Sequence, residues 1–353
     1  MKTNAKILIC YNSPVSIFTV YNGKPKKNGE EHDDLSERGF SKEMSIIRKG
    51  LEKNFTSVNS LAVDKNISKV INKINQIDPD IIFNFVESVE GIAEYEYCMA
   101  GVFGLLGYSY TGNPPSTLAN CLNKDRAKKI LQSFNIPTPA HLTVKYPEKL
   151  LPKNFRLKFP VILKLLNEDA SIGISEFSVV KNFNSLKKQL KFLFDTYRQD
   201  VIIEEYITGR ELNVAVLGDN VLPVSEIEFK GLPDGMPKIV TYDGKWISDS
   251  VYYDNTKPKC PAKLNVRTKK LVEETALASF EALNCRDYAR VDIRLSESGT
   301  PFVIEVNPNP DISTDSGFAR AASAAGLQYH ELLNTIASFA LLRKKNDTKT
   351  KAG

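Results

Sequence analysis

A predicted β-hairpin near the end of the chain brings two carboxylates face to face. If Ser298-Gly299 forms a two-residue turn, antiparallel pairing sets Asp292 opposite Glu305. The same register sets Arg290 opposite Asn307. Residues two apart along a strand share one face of a sheet, so these four side chains project together. The other face carries the apolar side chains Val291, Ile293, Ile304 and Val306.

The chemistry that suits this hairpin is the binding of a divalent cation. Two carboxylates about 5 Å apart on neighbouring strands repel each other and weaken the hairpin. A bound cation removes that repulsion, and ligands that are all oxygen atoms, from Asp, Glu and Asn, suit Mg2+ rather than zinc. The alternative is that these four side chains simply lie on a solvated face. A slip of one residue in the register would separate them.

Other familiar chemistries lack the residues that they need. The sequence contains no G-x-x-x-x-G-K-[ST], G-x-G-x-x-G, G-x-S-x-G or H-E-x-x-H motif, and its 3 histidines are scattered. Its 5 cysteines are well separated and form no C-x-x-C pair, which favours a reducing cytosol over a disulfide framework or a zinc knuckle. A site for phosphate or metal must therefore use carboxylates, lysines and backbone groups.

Charge and hydropathy limit the partners. The 353 residues include 47 Lys and Arg against 42 Asp and Glu, a net charge of +5, and part of the excess lies in the C-terminal tail. The rest of the chain is close to neutral, which does not indicate a nucleic-acid partner. No apolar run approaches the roughly 18 residues of a membrane span, and Met1 is followed by a strand-like segment rather than by a signal peptide. We therefore expect a cytoplasmic protein that contacts neither nucleic acid nor membrane.

Three predicted domains position the hairpin. Residues 1–112 alternate strands and helices, which predicts an N-terminal parallel α/β domain. Residues 113–208 and 209–343 mix hairpins with helices, which predicts α+β character in the central and C-terminal parts. Residues 344–353 are expected to form a disordered basic tail.

Three segments carry more specific expectations. A helix is predicted from Ser36 to Leu51 and another, final one from about Ser316 to Leu342. Residues 231–263 lack periodicity and are rich in Gly, Pro, Asp and Tyr, which predicts a long functional loop.

Several motifs together resemble the ATP-grasp superfamily, and within it the D-alanine:D-alanine ligases and related carboxylate-amine ligases. They are Lys164, Glu204-Glu205-Tyr206-Ile207, Gly209-Arg210-Glu211 and Glu305-Val306-Asn307, in the family's order. The resemblance covers about residues 80–340. It implies the ATP-grasp fold and a three-domain ligase architecture, with ATP held between two α+β domains.

The resemblance assigns a nucleotide site. Lys124 and Lys164 are similar to the two lysines that hold ATP phosphates, a role that suits a compact ammonium on a flexible stem. The strand residues Glu204, Glu205, Tyr206 and Ile207 resemble the segment whose backbone reads adenine, and Glu211 resembles the carboxylate on the ribose hydroxyls. The alternative for Lys124 is an ordinary lysine in the first turn of a helix.

It also assigns catalytic and metal-binding residues. Ser171, in a loop of small residues, resembles the loop that closes over the phosphates. Lys245 resembles the lysine of a mobile loop, with an ordinary loop charge as the alternative, and Arg290 resembles the arginine beside the transferred phosphate. Asp292, Glu305 and Asn307 resemble ligands of Mg2+, for which Mn2+ could substitute.

The implied reaction is ATP-dependent ligation. A substrate carboxylate attacks the γ-phosphate to give an acyl phosphate and ADP, and an amine then displaces phosphate to form an amide. Phosphoryl transfer of this kind needs charge neutralisation and alignment rather than a nucleophilic side chain of the protein.

The sequence departs from the family where the amino acids bind. The first strand ends in Cys10-Tyr11-Asn12-Ser13-Pro14 and lacks the G-G-x-S-x-E segment, whose glutamate grips the first D-alanine. The phosphate loop reads Glu168-Asp169-Ala170-Ser171 instead of G-S-S, Trp246 replaces a loop tyrosine, and Asp311 replaces a glycine. A substrate other than D-alanine is therefore expected.

Three residues are candidates for binding that substrate. Ser316 matches the family's carboxylate-binding serine, and Arg320 lies one helical turn on, so the two could hold a carboxylate together. Arg320 could equally be a solvated helix charge. Asp311 either orients an amine or a basic side chain, or points away and caps the turn before the last helix.

The leading hypothesis is an ADP-forming ATP-grasp ligase that acts on a small amino acid or peptide. One alternative is a divergent D-alanine:D-alanine ligase, and another is a nucleotide-binding regulatory module without ligase activity. The expected partners are small-molecule substrates, with a homodimer as an option for the assembly.

Overall fold

A computed structural model describes residues 2–13 and 40–351. The strands are β1 (Thr3–Asn12), β2 (Phe55–Val63), β3 (Ile81–Phe85), β4 (His141–Val144), β5 (Val161–Leu165), β6 (Val179–Val180), β7 (Val201–Glu205), β8 (Gly209–Leu217), β9 (Asn220–Val221), β10 (Ser225–Glu228), β11 (Lys257–Lys259), β12 (Tyr288–Ser296) and β13 (Pro301–Asn307). The helices are α1 (Phe40–Leu51), α2 (Ile67–Ile77), α3 (Tyr95–Leu105), α4 (Pro115–Leu122), α5 (Lys124–Ser133), α6 (Phe183–Tyr197), α7 (Tyr242–Trp246), α8 (Val251–Asn255), α9 (Val266–Ala282), α10 (Gly317–Ala324) and α11 (Tyr329–Lys351), with a 3-10 turn at Pro152–Asn154. The predicted start of the first helix at Ser36 lies outside the described residues.

The first sheet is parallel, with the order β2-β1-β3. Its central strand contains Ile7, Leu8, Ile9 and Cys10, all fully buried. A continuous apolar run of this kind is typical of a strand covered on both faces. Ile7 and Ile9 belong to one core cluster and Leu8 and Cys10 to another. The predicted α/β class is confirmed for this part of the chain.

The second sheet is antiparallel, with the order β4-β7-β5-β6. Helix α6 packs on it through Leu186, Leu190 and Leu193. Strands β5 and β7 pair so that Ile162 lies opposite Glu204 and Lys164 opposite Ile202. This pairing places two predicted nucleotide-binding side chains, those of Lys164 and Glu204, on neighbouring strands.

The third sheet has the order β11-β10-β8-β12-β13, and β9 pairs with β8 beside this path. Its first long strand starts at Gly209, whose φ is +141°. A Cβ there would lie 2.1 Å from the carbonyl oxygen of Leu295, so only glycine allows β8 to approach β12 this closely. Each sheet lies within one predicted domain, while the domain limits at 112, 208 and 343 stay predictions.

The register of the carboxylate hairpin is confirmed, although its turn is not the predicted one. Asp292 pairs with Glu305 and Arg290 with Asn307. The Ser296 N–H donates to the Thr300 carbonyl at 2.9 Å, so the turn contains three residues rather than two. A β-bulge between the pairs Ile293–Val303 and Asp292–Glu305 then leaves Ile304 of β13 without a partner and shifts the pairing by one residue in the opposite sense. The shift from the turn and the shift from the bulge therefore cancel at the two carboxylates.

The bulge also corrects the assignment of faces. Ile304 was expected in the core, but it lines a cavity instead. Val303 takes its place in the core cluster beside Val291 and Val306.

The C-terminal part differs from the sequence-based expectation. The predicted final helix is two helices, α10 and α11, and α11 continues to Lys351 where a disordered tail was expected. Lys344 pairs with Asp80 at 2.5 Å, which ties α11 to the first sheet. The long loop 231–263 contains α7, α8 and β11. No helix among the described residues has the length and apolar character required to cross a membrane.

Asp287 joins three parts of the chain. Its side chain is buried, forms an ion pair with Arg343 of α11 and accepts the Gly112 N–H at 2.8 Å. We predict that Asp287→Asn lowers the free energy of unfolding by about 2 to 3 kcal/mol, because a buried charged hydrogen bond is lost. Asn tolerates the left-handed backbone at this position.

Urea denaturation measures this change. The matched control is Asp195→Asn, which removes an exposed pair with Lys191 and is expected to change stability by less than about 1 kcal/mol. Equal effects of the two substitutions would show that Asp287 does not hold these segments together.

Candidate functional site

One cavity of about 820 Å3 is lined by residues of all three sheets. Every site residue predicted from the sequence lines it: Lys124, Lys164, Ser171, Glu204, Glu205, Tyr206, Ile207, Glu211, Lys245, Arg290, Asp292, Glu305, Asn307, Asp311, Ser316 and Arg320. The fold therefore brings together residues that are almost 200 positions apart in the chain.

A buried carboxylate between two lysines lies on the wall formed by the second sheet. Glu204 is 1% exposed, and its oxygens contact Lys164 Nζ at 3.0 Å and Lys128 Nζ at 3.1 Å. Burial raises the pKa of Glu204, but the two ammonium groups outweigh it and hold that pKa below its usual value. Glu204 is therefore ionised, and it fixes the position of the Lys164 ammonium.

Lys128 was not predicted from the sequence. It lies one helical turn after Lys124 on α5, and its ammonium also donates to the Thr138 hydroxyl and to the Ile304 carbonyl, each at 3.1 Å. Burial lowers its pKa although Glu204 opposes the shift. The spacing of four residues between two lysines was a signal that they share a helix face.

Lys124 opens α5, after the N-cap Asn123. Its ammonium contacts Glu305 at 3.1 Å and Asp169 at 3.4 Å. Burial raises the pKa of Glu305, but Lys124 and Lys164 outweigh it and hold that pKa well below its usual range. The two predicted groups Lys124 and Glu305 thus form one ion pair that joins α5 to β13.

Asp292 is held from two sides. Arg290 donates to both of its oxygens, at 2.8 and 2.9 Å, and Asn213 of the neighbouring strand donates to Oδ1 at 2.6 Å. Asn213 was also missed, because the pairing of β8 with β12 cannot be read from a hairpin pattern. These bonds hold the carboxylate against the guanidinium, on the strand that pairs with the strand of Glu305.

The donor set at the hairpin fits Mg2+. Asp292, Glu305 and Asn307 offer carboxylate and amide oxygens, the ligand type that this ion prefers. Asp292 accepts three hydrogen bonds and a carboxylate has about four acceptor positions, so it retains capacity for a ligand bond. Among the described residues, no group of three or more His, Cys, Asp and Glu is arranged to hold a metal. The donor set at the hairpin differs from such a group because its third member is the amide of Asn307.

The segment from Glu204 to Glu211 crosses between the second and third sheets. The Tyr206 N–H donates to the Pro160 carbonyl at 2.9 Å. The Arg294 guanidinium lies over the Tyr206 ring at 5.3 Å and pairs with Glu211 at 3.0 Å. Burial raises the pKa of Glu211, and Arg294 opposes that shift. Glu211 is thus already engaged by a cation at the position predicted for a ribose contact.

The loop that contains Ser171 meets helix α7 at the cavity. Ser171 and its neighbour Ala170 have φ values of +63° and +54°, and the Trp246 indole N–H donates to the Ala170 carbonyl at 3.3 Å. Lys245 precedes Trp246, and its exposed side chain lines the cavity. The surrounding protein atoms displace water from its ammonium, and this desolvation together with the positive charge of Arg290 lowers its pKa. Trp246 therefore connects the loop of Ser171 to the helix of Lys245.

The predicted substrate residues make local hydrogen bonds. The Asp311 carboxylate accepts the Ser313 N–H at 2.7 Å and its hydroxyl at 2.9 Å, which is the turn-capping geometry. Ser316 caps α10 by accepting the Ala319 N–H at 3.1 Å, and Arg320 donates to the Asp315 carbonyl at 2.8 Å. All three substrate candidates still line the cavity.

The buried Lys128–Glu204 pair leads to a stability prediction. Lys128→Met is expected to lower the free energy of unfolding by about 3 kcal/mol, because Glu204 keeps its burial and loses one of its two cations. The control is the neighbouring Lys129→Met, whose side chain is 67% exposed and pairs with Asp125. It should change stability by less than about 1 kcal/mol. Chemical denaturation compares the two, and equal losses would contradict the role given to Lys128.

Comparison with known proteins places this arrangement in a family. The family model described as "D-ala D-ala ligase C-terminus" matches residues 130–338. An uncharacterized protein, y4sG, of Sinorhizobium fredii is 34% identical over 284 residues, which is 77% of this chain and 80% of that protein. D-alanine--D-alanine ligase B of Clostridium perfringens is 30% identical over 303 residues, which is 81% of this chain and 94% of that one.

Solved structures agree in fold. The D-alanine--D-alanine ligase of Bacillus anthracis in complex with ATP superposes with a TM-score of 0.75 at 23% identity, covering 98% of this chain and all 100% of that one. The VanG D-Ala:D-Ser ligase of Enterococcus faecalis gives a TM-score of 0.66 at 20% identity, covering 96% and 100%. The predicted ATP-grasp fold is confirmed, and the chain belongs to the D-alanine–D-alanine ligase family of ADP-forming ATP-grasp ligases.

Proposed function

We propose that this protein uses Mg-ATP to join a carboxylate to an amine through an acyl phosphate, on a small amino acid or peptide other than D-alanine, in the cytoplasm. The observation that carries the proposal is the convergence of Lys124, Lys164, Arg290 and the carboxylate hairpin on one cavity. A relative of the same fold has been solved with ATP, which supports a nucleotide in this cavity.

The lysines and Arg290 neutralise phosphate charge. Lys124 and Lys164 bind phosphate oxygens, and each is already positioned by a carboxylate, Glu305 and Glu204 respectively. Arg290, fixed by Asp292, donates to the phosphoryl group in transfer. Because the three cations are anchored before the nucleotide binds, little reorganisation is needed when negative charge develops.

Asp292, Glu305 and Asn307 would hold Mg2+, or Mn2+ as a substitute. A metal ion held there would supply positive charge that neutralises the phosphate oxygens. Lys124, which contacts Glu305, keeps that carboxylate ionised and therefore able to act as a ligand.

The strand end from Glu204 to Ile207 binds adenine and Glu211 binds the ribose. In this proposal Lys164 exchanges part of its contact with Glu204 for phosphate, and Glu211 shares Arg294 with the ribose hydroxyls. Ser171 and Lys245 close over the phosphates, linked through Trp246 and Ala170.

The reaction needs no protein nucleophile. The substrate carboxylate attacks the γ-phosphorus and ADP leaves, which gives an acyl phosphate. The amine of the second substrate attacks the acyl carbon, phosphate leaves, and an amide forms. The protein aligns these groups and excludes water, which is the main requirement of both steps.

The preference for a substrate other than D-alanine rests on the residues near the acceptor. Asp311, where related ligases have glycine, would repel a developing oxyanion unless a cation lies beside it. We propose that it orients an amine while Ser316 and Arg320 hold a carboxylate. A divergent D-alanine:D-alanine ligase is the second candidate, favoured by the 30% identity to the C. perfringens enzyme.

A screen of phosphate release tests the function. Purified protein with Mg-ATP is given pairs of D- and L-amino acids and dipeptides, and mass spectrometry identifies amide products. Amide formation with stoichiometric ADP is expected for at least one pair other than D-alanine with itself. ATP binding without any amide product would favour a regulatory nucleotide-binding module, and D-alanyl-D-alanine as the best product would favour the second candidate.

The carboxylate hairpin gives a prediction about turnover. Asp292→Asn and Glu305→Gln should each lower kcat by about a hundredfold or more, because loss of a metal ligand removes several kcal/mol of charge stabilisation. Circular dichroism and melting curves should show that the fold is retained. The control Glu297→Gln lies in the exposed turn of the same hairpin and should keep full activity. Wild-type rates in both site variants would exclude these carboxylates as metal ligands.

Lys164 gives a prediction about nucleotide affinity. Lys164→Ala should weaken ATP binding about tenfold to a hundredfold, since one charge-assisted phosphate contact contributes roughly 1.5 to 3 kcal/mol. Calorimetric titration with ATP measures the loss. Lys158→Ala, an exposed lysine near the start of the same strand, is the control. An unchanged Kd for the Lys164 variant would remove Lys164 from the nucleotide site.

A further inference from the structure

Two segments of the cavity lining are rich in carboxylates. We define the substrate end of the cavity by the lining residues of 12–96 and 309–320. Five acidic side chains contribute to it: Glu43, Glu87, Glu96, Asp311 and Asp315. Among the described lining residues of these two segments, Arg320 is the single cation, and its guanidinium donates to a backbone carbonyl. Among these described lining residues, acidic side chains therefore outnumber basic ones by five to one.

Glu96 is the most buried of these carboxylates. It lies in the first turn of α3, and its side chain is 8% exposed yet lines the cavity. Its hydrogen-bond partner is the neutral amide of Asn309, which donates to Oε1 at 2.9 Å. In the part of the chain that the structure describes, Glu96 makes no ion pair with Lys or Arg. Ionising a buried carboxyl without a cation is costly, and a positively charged ligand in the cavity would remove that cost.

The orientation of Glu96 is fixed by its neighbours. The Tyr288 hydroxyl donates to Asn309 Oδ1 at 3.2 Å, which directs the Asn309 NH2 group toward Glu96. Asn309 also donates from its backbone to Asn307 Oδ1 at 3.0 Å. The side chain that holds Glu96 is thus anchored to the end of the carboxylate hairpin.

A second carboxylate gives independent support. Glu43 of α1 lines the same end, and its Oε2 atom is buried with no hydrogen-bond partner. Helices α1 and α3 thus each contribute an acidic side chain to the lining of the same cavity.

We propose that the substrate end binds a cationic side chain, so that the substrate is an amino acid with an ammonium or guanidinium group beyond its α-amine. Glu96 is the specificity-determining residue that contacts this cation, and Glu43 supplies further negative charge. The inference rests on the ligase function proposed above and names the substrate class of that site.

Without a ligand, burial raises the pKa of Glu96 well above the usual range although Asn309 opposes the shift, and the charges of Asp169 and Glu87 add to it. A cation bound beside Glu96 would favour the ionised carboxylate and lower that pKa again. A neutral zwitterion such as alanine supplies no net charge to this end, whereas lysine or ornithine supplies one.

The test compares amino acids of equal length. Lysine and norleucine, each as both enantiomers, are assayed with Mg-ATP for amide product and for kcat/KM. Wild-type protein is compared with Glu96→Gln, in which the Gln carbonyl can still accept the Asn309 N–H. The matched control is Glu281→Gln on the exposed side of α9. Wild type and control should prefer lysine by about tenfold to a hundredfold, the effect of one charged contact.

Glu96→Gln should reduce that preference to about threefold or less and leave the KM for ATP unchanged. Thermal shifts with ADP, MgCl2 and each amino acid give a second readout that needs no turnover. Lysine should raise the Tm of wild type more than norleucine does, and Glu96→Gln should abolish the difference.

The outcomes separate the two proposals. Amide products formed equally well from norleucine or alanine, or a lysine preference that survives Glu96→Gln, would overturn the inference while the ligase function stands. Absence of any amide product would overturn the ligase function, and the thermal shifts would still decide whether the substrate end selects a cation. Equal shifts for lysine and norleucine would refute the inference.

Discussion

The pairing of buried charges where the second and third sheets meet is the constraint on which the site depends. Lys124, Lys128 and Lys164 all lie in a region with little access to water, and each requires a carboxylate. Glu204 and Glu305 supply them from different sheets. The ion pairs therefore hold α5, β5, β7 and β13 in fixed relation, and they include the lysines that we propose bind phosphate.

This arrangement explains how the charged groups of the site are stable together. A cluster of lysines alone would repel itself, and a pair of opposed carboxylates alone would weaken its hairpin. Interleaving the two sets removes both penalties. In the proposed function, phosphates would replace carboxylates around the lysines, and a metal ion would replace lysines around Glu305. Nucleotide binding would then exchange charge partners rather than create buried charges.

The sequence predicts the local parts of this design better than the long-range ones. The register of Asp292 and Glu305 was right, yet only because a three-residue turn and a β-bulge at Ile304 shift the pairing in opposite directions. The alternation of apolar and polar residues specified which register buries a core face, but it cannot reveal a bulge. Lys128, Asn213 and Asn309 were missed for a related reason. Each acts through a partner on another element, and spacing along the chain says nothing about that partner.

The residues proposed to bind ATP and those proposed to select the substrate lie on different kinds of element. Several of the proposed nucleotide and metal residues lie on strands that are hydrogen-bonded in the middle of a sheet, such as β5, β7 and β12, where a shift of one side chain disturbs the register of its neighbours. The proposed substrate residues lie on helix ends and turns: Glu96 in the first turn of α3, Asp311 in the turn before α10, and Ser316 at its N-cap. Substitutions at helix ends and turns leave the sheets unchanged, so the acidic character of one end can vary while the lysines and the hairpin keep their geometry. If the proposed roles hold, the substrate of such a ligase can change through a few residues that strands do not constrain, while the residues for ATP stay in place.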